Sequence, residues 1–278
     1  MVGTVLNLLF VGVEAVAGFV TGSVGLLSDA GHNLSDVVAL LLAWLAFRLS
    51  RVPANTRFTY GYGKSTVLVA LLNAALLLVA IGMIALESAH KLMQPQPIDG
   101  GVVIWVASVG IAVNMATALL FLRDRRSDLN VNGAFLHMAM DALVSLGVVL
   151  SGVLMRFTGW YIIDPIVGLL VAVVIFVSTW RLLRQSVRLS LDGVPADIDA
   201  AQVHQLIAGI DGVADVHHLH LWALSTTSNA LTAHIALRDI AQAERVKADI
   251  RHLLAEHGIA HATIETELEG HACGQPTC

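Results

Sequence analysis

Six apolar stretches, at positions 2–21, 26–49, 65–86, 101–122, 132–155 and 161–183, constrain this chain more than anything else in it. A helix rises about 1.5 Å per residue, so about 20 apolar residues cross the roughly 30 Å of hydrocarbon in a bilayer. Each stretch meets that length, and six membrane-spanning helices are expected. The breaks carry turn chemistry: Gly22 and Ser23 after the first, Pro53 after the second, Gln94-Pro95-Gln96-Pro97 after the third, 128–132 before the fifth and Gly159 before the sixth. No basic segment precedes the first stretch and no small-residue cleavage site follows it, so it reads as a span and not as a cleaved leader. Composition agrees. With 56% apolar and 13% charged residues and a mean hydropathy of +0.74, a water-soluble fold would expose far more apolar surface than water tolerates.

Charge sets an orientation and excludes one partner class. Ten of the basic residues near span ends (Arg48, Arg51, Arg57, Lys64, Arg123, Arg125, Arg126, Arg181, Arg184 and Arg188) fall on one side, against Lys91 and Arg156 on the other. The rule that positive loops stay in the cytoplasm then puts both termini there. The net charge is −5 and the cations are scattered without interleaved aromatics, so no nucleic-acid partner is expected. The two cysteines, Cys273 and Cys278, both fall in the last six residues and provide no disulfide framework.

Past about residue 189 the composition becomes that of a soluble domain and holds nine of the twelve histidines. The expected organisation is a transmembrane domain over 1–188 and a cytosolic domain over 189–278. In the second part, Asp197 or Asp199 can cap a helix reaching about Ile210. Strands are expected over 213–224, 230–238 and 261–268, and a second helix over 241–257 with Gly258 as its stop. The order α-β-β-α-β is the ferredoxin-like α+β layout, with both helices on one face of a small sheet.

Chemistry concentrates inside the spans. The second reads Ser28-Asp29-Ala30-Gly31-His32-Asn33-Leu34-Ser35-Asp36 and the fifth His137-Met138-Ala139-Met140-Asp141, each with His at i and Asp at i+4. One turn separates the members of each pair, so both project from one face. A carboxylate at mid-bilayer costs about 2.5–3.5 kcal/mol on insertion scales, and a bound cation offsets it. If the two spans pack together, His32, Asp36, His137 and Asp141 offer two nitrogens and two oxygens. Zinc accepts such a tetrahedral set, cobalt and iron(II) also suit imidazole, and copper(I) would recruit sulfur that these spans lack. A lone His or Asp in a span could simply hydrogen-bond a neighbouring helix, but two pairs with one spacing point to function. Glu14, Asp29, Asn73, Asn114 and Asp164 are further polar residues in the spans without a spacing partner. For Glu14 and Asp29, lining an aqueous path or relaying protons stands beside simple pairing with another helix. His204, His252, His257 and His271 read as solvated surface groups.

Gly22-Ser23-Val24-Gly25-Leu26-Leu27-Ser28-Asp29-Ala30-Gly31-His32-Asn33-Leu34-Ser35-Asp36, then Tyr60-Gly61-Tyr62-Gly63-Lys64, then His217-His218-Leu219-His220-Leu221-Trp222-Ala223-Leu224, occur in that order. With these motifs, over nearly its whole length, the chain resembles the cation diffusion facilitator family, in particular its bacterial zinc, cobalt and cadmium efflux members. The resemblance implies a multi-pass homodimer of the cell inner membrane that exports zinc from the cytoplasm in exchange for protons. It carries His32, Asp36, His137 and Asp141 over as the transport ligands. Histidine at the first of these positions goes with zinc selectivity over cadmium. It also implies zinc bound in the cytosolic domain at His217, His234 and Glu265, with Cys273 and Cys278 matching a C-terminal cysteine pair at wider spacing. By strand alternation His234 and Glu265 face away from Ala233, Ile235 and Ile264, hence away from the expected core, which leaves them available.

The chain departs from the family pattern in three places. Tyr60 and Tyr62 stand where some relatives have metal-binding histidine, the N-terminus starts at the first span without a His-rich leader, and the loop before the fifth span lacks a His-rich tract. No metal site is expected in those segments. The expected activity is transport and not enzymatic, with zinc as cargo and no catalytic cofactor. A membrane-embedded metallohydrolase would need a general base beside an open metal position, and no His-Glu-x-x-His helix occurs. A passive channel would hold the ion too tightly with four ligands, and a metal sensor would leave the intramembrane pairs unexplained.

Overall fold

The structure is a computed structural model that describes residues 2–121 and 129–270; of the helical residues 2–7, 40, 120–121, 129–137 and 139 it describes the backbone alone. The helices run as α1 (Val2–Thr21), α2 (Val24–Ser50), α3 (Ser65–Met93), α4 (Gly100–Phe121), α5 (Leu129–Thr158) and α6 (Ile163–Ser190). Among the described residues five of them are long and apolar enough to cross a bilayer, and α1 adds the apolar portion Leu8–Thr21. In lipid every backbone N–H and C=O must be satisfied within the chain, which is why such sequences become helices.

The chain divides into two compact units. One comprises Met1–Leu41 and Asn73–Arg181, the other Leu42–Leu72 and Leu182–Cys278. In the first, Leu26, Ile98, Val103, Ala107, Val148 and Met155 form one buried cluster, and Ile81, Val171, Ala172 and Ile175 form another. The α4 and α5 helices pack closely along their length. Gly152 permits this approach, because a Cβ there would meet Ile104 at 2.9 Å and the Gly100 carbonyl oxygen at 3.1 Å. The outward faces carry large apolar side chains such as Phe19, Val20, Leu86 and Trp105, as lipid contact requires.

The α5 helix runs beyond 132–155 at both ends and α6 continues from 183 to Ser190; two further boundary differences have clear local reasons. The α2 helix starts at Val24, two residues early, because Asp164 at the head of α6 caps it. Asp164 Oδ1 accepts from Ser23 Oγ at 2.5 Å and from the Gly25 N–H at 3.3 Å, and Oδ2 accepts from the Val24 N–H at 2.6 Å. Ser23 Oγ accepts from the Leu26 N–H at 3.2 Å. Two otherwise orphaned N–H groups are thus satisfied by a carboxylate placed at the positive end of the helix, and a third by the Ser23 hydroxyl. Gly22 at φ +70° makes the turn that leads in. The α3 helix runs to Met93, well past the expected end, where Lys91 pairs with Glu87 at 3.2 Å and donates to the Gly22 carbonyl.

In the second unit the α-β-β-α-β order holds: α7 (Ala200–Ala208), β1 (Val213–Ala223), β2 (Asn229–Leu237), a 3₁₀ turn at Ile240–Gln242, α8 (Ala243–Glu256) and β3 (Ile259–Leu268). Asp199 is the cap of α7, accepting from the Ala201 and Gln202 N–H groups. The sheet order is β1-β2-β3, with β1 antiparallel and β3 parallel to β2, and α8 makes the crossover. Val203 and Ile207 of α7 and Val246, Ile250 and Leu254 of α8 bury against Leu231, Ala233, Ile235 and Leu237. Only one sheet face is covered this way. The loop after α2 belongs to the same unit: Lys64 Nζ donates to Asp192 at 2.6 Å and to the Ala223 carbonyl at 3.0 Å, and Thr66 Oγ1 accepts from the Thr226 N–H at 3.0 Å.

Candidate metal centres

On α2, His32 and Asp36 lie one turn apart with His32 Nε2 3.7 Å from Asp36 Oδ2. Asp141 of α5 reaches the same imidazole, with Oδ1 3.4 Å from Nε2. One ligand atom from each of the three lies within 4.8 Å of the others. Zinc bonds of about 2.0–2.1 Å in a tetrahedron separate donor atoms by about 3.3 Å, so this set needs little contraction to hold an ion. Asp141 is buried, while His32 and Asp36 are partly accessible. His137 lies on α5 one turn before Asp141, and its side chain is outside the described residues.

A second polar layer adjoins this one. Asp29 Oδ2 accepts from Ser145 Oγ at 2.6 Å, and Asn33 Nδ2 lies 3.4 Å from Glu14 Oε2 and 3.5 Å from Asp29 Oδ1. All four residues are buried. Asp164, weighed in the sequence alongside Glu14 and Asp29, serves as the α2 cap. Asn73 and Asn114 are buried in α3 and α4.

In the soluble domain, the open face of the sheet carries a second cluster. His217 of β1 pairs with His234 of β2, which pairs with Glu265 of β3. His217, His234 and Glu267 offer ligand atoms within 4.8 Å of one another. His217 Nε2 lies 2.6 Å from Glu267 Oε1, His217 Nδ1 3.2 Å from Asp215, and His234 Nε2 3.3 Å from Glu265 Oε2. Glu265 and Glu267 are two residues apart and share a face. Glu267, its side chain 13% exposed, sits with the imidazoles, whereas Glu265, at 64%, reaches His234 from the rim.

Sequence reasoning missed Glu267 and His218. The resemblance singled out Glu265, and the alternation that turns Glu265 off the core face fits Glu267 equally and so does not discriminate. His218 was hidden by a bulge. The β1–β2 register slips between His217 and His220, and His218 takes φ +47°, so two consecutive histidines turn to the same side. Ring centroids are 5.5 Å apart for His217 and His218, 5.5 Å for His217 and His234, and 5.2 Å for His218 and His234.

Elsewhere, His204 Nε2 lies 2.9 Å from the Val216 carbonyl oxygen, His257 Nδ1 lies 2.8 Å from the Leu253 carbonyl oxygen, and His252 pairs with Glu256 at 3.5 Å. His252 and His257 are exposed, as expected. Tyr60 meets the edge of the His261 ring at 5.4 Å. Cys273, Cys278 and His271 lie outside the described residues.

Comparison with known proteins matches residues 1–189 to the cation efflux transmembrane domain and residues 195–269 to the cytoplasmic domain of cation efflux proteins. The chain is 36% identical to the zinc transporter ZitB of Escherichia coli over 272 residues, covering 97% of this chain and 86% of that protein. It is 34% identical over 264 residues to a cadmium, cobalt and zinc/H(+)-K(+) antiporter of Bacillus subtilis, covering 93% and 85% respectively. It is 35% identical over 257 residues to the metal cation efflux system protein CzcD of Cupriavidus metallidurans, covering 92% and 81%. With both domain matches in sequence order and this similarity along nearly its full length, the chain belongs to the cation efflux family.

Proposed function

We propose that this protein exports zinc from the cytoplasm across the cell's inner membrane in exchange for protons. The observation that carries this reading is the convergence of His32 and Asp36 from α2 with Asp141 from α5, at dication-binding distances inside the membrane unit. His137 completes the set as a second imidazole. Two carboxylates balance the 2+ charge, so the ion enters the bilayer without net charge. Zinc-transporting relatives support the choice of cargo, with cadmium, cobalt and iron as competitors.

Proton exchange follows from the ligands. An imidazole must be neutral to bind metal, and its unperturbed pKa of about 6.5 lets protons compete for the same nitrogen at physiological pH. The site loads facing the cytoplasm, closes, opens outward and is discharged as protons replace the ion. Ten basic residues on one side put both termini in the cytoplasm. The cytosolic domain over 189–278 binds zinc at His217, His234 and the adjoining glutamates and pairs with a second copy, making the transporter a homodimer. Metal bound there reports cytosolic zinc and steadies that pairing.

The test is metal uptake into inverted membrane vesicles under imposed proton gradients, for wild type and for alanine variants at His32, Asp36, His137 and Asp141. Uptake driven by acid inside the vesicle and lost in each variant is the expected result. Zinc flux in proteoliposomes without any accompanying proton movement would reject the exchange.

A further inference from the structure

Glu14 is a carboxylic acid in the middle of α1 with 0% exposure, and metal binding at His32, Asp36 and Asp141 gives it no task. Its Oε2 and Asp29 Oδ1 face a single Asn33 amide group at 3.4 and 3.5 Å. Asp29 is tied through Oδ2 to the Ser145 hydroxyl, and Ser145 stands one turn beyond Asp141 on α5. The four residues form a layer about one helical turn from the metal ligands.

This layer is short of hydrogens. Among the described residues, Glu14 Oε1 and Asn33 Oδ1 are both buried without a hydrogen-bond partner, and Asn33 is 1% exposed. An ionised carboxylate and an amide carbonyl can only accept, so nothing within the layer satisfies them. A proton on Glu14 converts one of its oxygens into a donor and removes the repulsion between two carboxylates that share one amide. A cation fits less well, because Asn33 presents its N–H groups to both acids and Ser145 presents its O–H to Asp29.

We propose that Glu14 carries an exchanged proton, holding it while the metal site is empty and releasing it when a divalent ion binds between His32, Asp36 and Asp141. This rests on the antiport reading above. As the ion arrives, its charge is felt through Asp29 in a medium that screens poorly. The O–H bond at Glu14 breaks, and the proton passes to water on the side to which the site is open. The ion cancels the negative charge of Asp36 and Asp141, so an ionised Glu14 no longer adds its charge to theirs. When the ion leaves, a proton returns to Glu14. Among the described side chains, α2 supplies Asp29 and then His32 toward Glu14 and α5 supplies Asp141 beyond Ser145, while the α4 sequence contains no titratable residue.

The experiment counts protons released per zinc bound by the full-length protein in detergent, in weak buffer with a pH indicator. Release by Asp141→Ala, which retains the cytosolic cluster, is subtracted. Glu14→Gln is expected to bind zinc at the intramembrane site, to release about one proton fewer per ion, and to show a flatter pH dependence of affinity. Glu14→Asp, which keeps an acid, restores the release at a shifted midpoint. If Glu14→Gln does not fold, Glu14→Asp decides alone, and an unchanged midpoint overturns the proposal. It is also overturned if Glu14→Gln releases as many protons as wild type, if it loses intramembrane zinc while the cytosolic cluster still binds, or if zinc expels potassium in place of a proton. A wild type that releases no protons at all sinks the antiport reading itself, which separates the two failures.

Discussion

The intramembrane and cytosolic clusters use the same donors, imidazole and carboxylate, but assemble them by opposite rules. On α2 the pair His32 and Asp36 is set by helix periodicity alone, and α5 has only to bring Asp141 alongside. On the sheet, His217, His234 and Glu267 come from three strands, and the geometry depends on strand pairing and a bulge. A helix site tolerates substitutions outside its own turns, whereas a sheet site depends on every register that builds it.

Predictions follow this contrast in order of effect. Asp141→Ala, removing the buried carboxylate, is expected to lower zinc uptake into inverted vesicles at least about 100-fold, leaving the cytosolic zinc seen by calorimetry intact. Loss of both together would merge the two centres into one. Glu267→Gln is expected to weaken cytosolic zinc binding about tenfold or more, and Glu265→Gln less; the reverse ranking would move the ligand role to the rim. Transport at saturating zinc should change little in either. Asp164→Ala, which strips the α2 cap, should cost about 1–2 kcal/mol in thermal unfolding while leaving the cytosolic zinc affinity alone. The smallest effect is expected at the bulge. His218→Gly should unfold within about 0.5 kcal/mol of wild type, and His218→Val should lose about 1 kcal/mol or more, since a β-branched residue resists positive φ.

Much of this was legible beforehand. Six apolar runs gave the six helices, and the His-x-x-x-Asp spacing named three residues that the structure brings together. Both succeed because helix geometry is local. The α-β-β-α-β order was likewise readable from alternation and caps. The early start of α2 was not, because its cap comes from Asp164, some 140 residues away in sequence. Nor was the placement of the His218 ring beside His217 and His234, because a bulge reverses the facing that alternation assigns. Which of Glu265 and Glu267 is the more buried beside the imidazoles is a property of the folded sheet.

The capping of α2 by Asp164 has a mechanical consequence. The helix that carries His32 and Asp36 is moored at its N-terminal tip to the head of α6, so it cannot slide along its axis without dragging that neighbour. Alternating exposure of the ion must then come from α2 swinging about a fixed fulcrum, or from the two helices travelling as one strut.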